Sequence, residues 1–63
     1  MESNIKTEMV AVGRLLAGDF IVNLGALVEI EEKETYFSLV IQRMDQRQVW
    51  QFVKSENLLV RLA

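Results

Sequence analysis

The chain reads as an all-β protein, a small barrel of five to six short antiparallel strands, and three observations predict this class. From Ala26 to Lys54 the apolar residues alternate as two consecutive hairpins, and a strand sends alternate side chains to opposite faces. Gly18, Asn23 and Gly25 punctuate the preceding stretch, at spacings that leave room for short strands and tight turns. At 63 residues the chain is too small to leave many strands flat with open edges, so curling into a barrel is the natural solution.

Taken in order, residues 1–7 are polar and read as a flexible N-terminal arm, with the barrel domain over 8–63. The arm carries acids and lacks an apolar stretch, unlike a signal or transit peptide. Residues 8–16 admit two readings. As a helix, Ser3 or Asn4 caps it, Ile5, Met9, Val12 and Leu16 form a stripe, and Gly18 ends it. As a strand, Met9-Val10-Ala11-Val12 is a β-rich run ended by Gly13. Glycine inside a helix costs about 1 kcal/mol, and the two valines do not offset it. The strand is favoured, with an N-terminal helical turn as the alternative.

Leu15-Leu16-Ala17-Gly18-Asp19 then forms a tight turn or a single 3₁₀ turn, with Gly18 taking a backbone conformation costly to other residues and Asp19 bonding nearby backbone. Phe20-Ile21-Val22 is a short strand and Asn23-Leu24-Gly25 the next turn. With the first hairpin turn at Lys33-Glu34, Ile30 faces Phe37, Val28 faces Leu39 and Ala26 faces Ile41. With the second at Asp45-Gln46, Ile41 faces Trp50 and Leu39 faces Phe52, which puts both aromatic residues in the core. Lys54 to Asn57 is a polar connection, and Leu58 to Leu62 is the last strand.

The β-run followed by Leu15-x-x-Gly18-Asp19, Phe20, Gly25, Val28 and Ile30 resembles small SH3-like barrels. Similar openings occur in the KOW-type N-terminal domain of elongation factor P-like proteins and in phage and bacterial barrel domains. The resemblance spans roughly residues 9–62 and implies a fold; it carries over no functional residue. The basic tip loop of elongation factor P-like domains has no counterpart, because Glu31-Glu32-Lys33-Glu34 is acidic.

Composition bounds the function. There is no cysteine and no histidine, so disulfides, thiolate ligands and the commonest general base are missing. Glu29, Glu31, Glu32 and Glu34 read as a solvated face that keeps a strand soluble. Gly13, Gly18 and Gly25 are too far apart for a phosphate loop. Ser3, Ser38 and Ser55 have no base in recognisable reach. No catalytic residue, metal ligand or cofactor is expected. No apolar run approaches the roughly 20 residues of a membrane helix, and a cytoplasmic location without a membrane partner is expected.

An apolar fraction of 51% is high for a domain this small, which points to self-association or a protein partner. The same register turns Leu27, Tyr36, Val40, Val49 and Val53 outward, with Leu27 opposite Val40, Tyr36 opposite Glu31, and Arg43, Glu29, Gln42, Gln48 and Gln51 around them. An apolar patch with a polar rim is what a subunit or partner interface looks like. The leading expectation is a non-enzymatic protein-interaction module, self-associating or an accessory subunit or inhibitor of a larger protein. The alternative is a nucleic-acid-binding barrel using Arg43, Arg47, Lys54, Arg61, Tyr36 and Trp50. A net charge of −2 with scattered basic residues weighs against it.

Overall fold

Six strands make one antiparallel sheet in the computed structural model, which describes residues 6–62. They are β1 (Lys6–Ala11), β2 (Phe20–Ile21), β3 (Gly25–Glu32), β4 (Tyr36–Arg43), β5 (Gln46–Val53) and β6 (Asn57–Leu62). The sheet runs β1-β6-β2-β3-β4-β5 and curls into a half-barrel, leaving β1 and β5 as its two edges. The all-β class and the antiparallel arrangement are those the alternation predicts.

Residues 8–11 are strand, as favoured, but β1 already begins at Lys6, which lies opposite Leu62. The arm expected over 1–7 therefore gives up Lys6 and Thr7 to the sheet, and residues 1–5 lie outside the described residues. The tight turn expected over Leu15–Asp19 is present, closed by the Asp19 N–H on the Leu16 carbonyl, and it is preceded by a separate 3₁₀ turn at Val12–Arg14. The 3₁₀ turn folds Val12, fully buried, into the core while the Val12 N–H donates to the Glu56 carbonyl at 3.0 Å.

The link from β1 to β3 rests on backbone conformations open to few residue types. Gly18 has φ +102°, Asn23 +71° and Gly25 +134°, the left-handed region that glycine and asparagine enter most cheaply. The Asp19 carboxylate accepts the Leu16 N–H at 2.9 Å, and the Asp19 N–H donates to the Leu16 carbonyl at 3.0 Å. The loop is tied to β3 as well: the Leu27 N–H donates to the Asp19 carbonyl and the Gly18 N–H to the Leu27 carbonyl, both at 2.8 Å.

Both hairpins depart from the expected register. In the first, Ile30 lies opposite Leu39 and Glu32 opposite Phe37, because the turn sits later and is closed by the Lys33 N–H on the Tyr36 carbonyl at 2.8 Å. In the second, Leu39 faces Trp50 and Phe37 faces Phe52, around a turn of Met44 and Asp45 in which Met44 takes φ +59°. That turn is unusual for methionine. It is held by eight consecutive cross-strand pairs, including Val40 with Val49, of the aromatic and β-branched kind that stabilise a ladder. A slip of two residues moves partners but not faces.

One irregularity does change a face. Between Leu27 and Glu29 the β3–β4 register shifts, with Glu29 opposite Val40 and Leu27 opposite Ile41, so Val28 is an extra residue in β3. This β-bulge reverses the alternation and turns Leu27 into the core. The buried residues are Val12, Leu15, Ile21, Leu27, Leu39, Ile41 and Val60, with Val10, Leu24, Ile30, Phe37, Phe52 and Leu58 packed against them. Each fully buried aliphatic side chain contributes about 1.5–3 kcal/mol. The core therefore draws on every strand of the sheet.

Candidate interaction surface

β5 is paired on one side only, and that decides its exposure. Every residue of it is exposed except Phe52, which is half-buried. On the outer face of the β4–β5 hairpin the pairs are Tyr36 with Val53, Ser38 with Gln51, Val40 with Val49 and Gln42 with Arg47. Val49 is 66% and Val53 57% exposed, while Tyr36 and Val40 are half-buried between their neighbours. The result is an apolar ladder flanked by glutamines and closed at the turn end by the Arg47 Nε donating to the Gln42 Oε1 at 3.4 Å.

Four of the six residues expected at this surface, Tyr36, Val40, Val49 and Val53, are thus brought together. Leu27 is not: it is 2% exposed and belongs to the core, because the bulge at Val28 inverts its face. Tyr36 faces Val53 on β5, and Glu31 pairs with Ser38 instead. Arg43 falls on the opposite parity from Val40 and Gln42, where it lines a shallow depression with Phe20, Asn23, Gly25 and Met44.

The sequence reading missed the second apolar face of β5. Trp50, expected in the core, is 39% exposed, its indole stacked on Phe52 with ring centroids 6.2 Å apart and 9° between planes. Among the described residues no strand lies beyond β5, so these rings, cross-strand from Leu39 and Phe37, stay partly open to solvent. β5 thus carries apolar side chains on both faces, a pattern visible in Val49-Trp50-Gln51-Phe52-Val53 itself. Removing a half-covered ring should cost less than the roughly 3–5 kcal/mol of a core aromatic. Trp50→Ala is expected to lose about 1–2 kcal/mol in denaturant unfolding, and acrylamide should quench this single tryptophan to an intermediate degree.

The basic residues are mostly occupied within the chain. Lys54 pairs with Glu32 at 2.9 Å and lies 5.8 Å from the Phe37 ring centre, Arg61 sits 4.1 Å above Phe20, and Lys33 pairs with Glu31 at 3.2 Å. Among the described residues no polar or charged side chain is buried and no three acidic residues gather as a metal site. Among them, too, no helix is long and apolar enough to cross a membrane. What the surface offers is apolar area and a strand edge. No protein-family profile, curated protein or solved structure matches the chain.

Proposed function

We propose that this chain is a non-enzymatic protein-interaction module of the small SH3-like barrel type, working in the cytoplasm through its β4–β5 hairpin. It binds a second copy of itself or serves as an accessory subunit of a larger protein. The observation that carries this reading is β5, an open edge with exposed Val49, Trp50 and Val53 in a protein with so small a core. Contiguous apolar surface of this kind favours a partner that removes it from water. The cysteine-free composition fits a reducing compartment.

Val49→Lys tests it. The side chain is 66% exposed, so the substitution should change folding stability by no more than about 0.5 kcal/mol while weakening self-association or capture of a protein partner. A variant that keeps both its melting temperature and every protein contact would overturn the proposal.

A nucleic-acid reading has one observation in its favour, the partly exposed indole of Trp50 on β5. Aromatic faces stack on unpaired bases. The engagement of Arg47, Lys54 and Arg61 within the chain and the net charge of −2 stand against it. Salt-dependent retention on single-stranded DNA or RNA would favour that reading over ours.

A further inference from the structure

We propose that β5 pairs antiparallel, edge to edge, with β5 of a second copy, about a two-fold axis passing between the two Gln51 residues. The inference rests on the reading of the β4–β5 hairpin as an interaction surface and names its occupant and register.

The two-sided exposure of β5 selects the geometry. A partner lying on one face of the sheet would cover Val49 and Val53 or Trp50 and Phe52, but never both sets. A strand added in the plane of the sheet meets both. The edge is also open to such pairing. Natural edge strands are blunted by proline, charge or bulges, whereas the chain has no proline and β5 has eight regular partners on β4 and a single charge, Arg47. The other edge, β1, is shorter and carries Lys6 and Glu8.

The side chains then choose both partner and register. Opposed residues of an antiparallel pair point to the same face, so self-pairing is centred on one residue. Centred on Gln51, Val49 meets Val53 of the second copy on the outer face, and Trp50 meets its Phe52 on the inner face. All four apolar residues are matched. Centred on Val49, Trp50 would face Gln48, and Phe52 would face Gln46. Centred on Trp50, Val49 would face Gln51, and Val53 would face Arg47. These two registers lengthen the ladder by one residue at each end, but they set apolar side chains against polar ones. The Gln51 register leaves Arg47 beyond the paired segment. Because the contact is isologous it closes at two copies, joining two six-stranded sheets across one seam with β1 outermost on each side.

The absence of cysteine makes the register directly readable. Opposed Cα atoms lie about 4.5–5.5 Å apart, inside the usual disulfide range of about 4.4–6.8 Å. Light scattering should find a wild-type dimer at high micromolar concentration, with Val49→Lys raising its dissociation constant at least about tenfold. Under mild oxidation Gln51→Cys should cross-link to itself, and a mixture of Val49→Cys and Val53→Cys should give the heterodimer. These three positions are exposed, so the variants keep the fold, which circular dichroism confirms. Self-cross-linking of Val49→Cys, or preferential cross-linking between Val49→Cys and Gln51→Cys, overturns the register. A dimer that none of these cysteines traps places the contact elsewhere and overturns the inference, while the interaction reading of this chain stands. A wild-type monomer overturns the inference too; the broader reading then falls only if Val49→Lys also leaves every contact with other proteins intact.

Discussion

Gly25→Val is expected to destabilise the fold by about 2–6 kcal/mol, a large part of the roughly 5–15 kcal/mol that holds a small domain together. Two costs combine. Gly25 has φ +134°, where a side chain brings strain of about 1–3 kcal/mol. A Cβ there would also lie 2.6 Å from the Gln42 carbonyl oxygen, 3.1 Å from Ile41 Cγ2 and 3.3 Å from Arg43 Cβ. Backbone is the least yielding of these neighbours, and overpacking adds about 1–3 kcal/mol. Gly18 separates the two terms, because its φ is +102° yet nothing lies within 4 Å of its Cβ position. Gly18→Ala should therefore show the strain alone, and Gly25→Ala should exceed it. Urea unfolding followed by circular dichroism measures both; equal midpoints for the two alanine variants would refute the steric half of the argument.

The turns were legible in the sequence because their chemistry is local. Gly18, Asn23 and Gly25 are residue types that enter the left-handed region cheaply, and all three do so. Alternation was legible for the same reason, and it survived errors in register. Both hairpin turns were misplaced, yet Phe37, Leu39 and Ile41 kept their face because a two-residue slip preserves parity. The bulge at Val28 was not legible. It contains no glycine and no turn residue, and its outcome, Leu27 buried opposite Ile41, is a matter of packing between strands rather than of local chemistry. Nor could alternation give the exposure of Trp50. That depends on whether a further strand covers β5, a property of the whole sheet. Parity along β4–β5 accordingly places Tyr36, Val40, Val49 and Val53 on one outer face, as alternation predicts. Regular alternation misplaces Leu27, which lies across the bulge, while Arg43 sits at the opposite parity of β4 from Val40 and Gln42.

Leu27 is where the two readings make opposite predictions. Regular alternation places it outside against Val40, so Leu27→Lys should leave folding intact and disturb only a complex. The bulged structure places it at 2% exposure opposite Ile41, in a core with Val12, Leu15, Ile21, Leu39 and Val60. No polar side chain is buried among the described residues, so an ammonium introduced there finds no partner, and an unpaired buried charge is among the costliest changes available. Leu27→Lys is thus expected to abolish folding. Leu27→Ala, which removes buried methyl groups without adding charge, should cost about 2–5 kcal/mol. Val40→Lys provides the contrast. Val40 is half-buried on the outer face between Glu29 and Val49, and a lysine there can lay its stem along the ladder and keep its charge in water. Circular dichroism and thermal melting of the three variants decide between the readings. A Leu27→Lys chain that melts like the wild type would restore the regular register and remove Leu27 from the core.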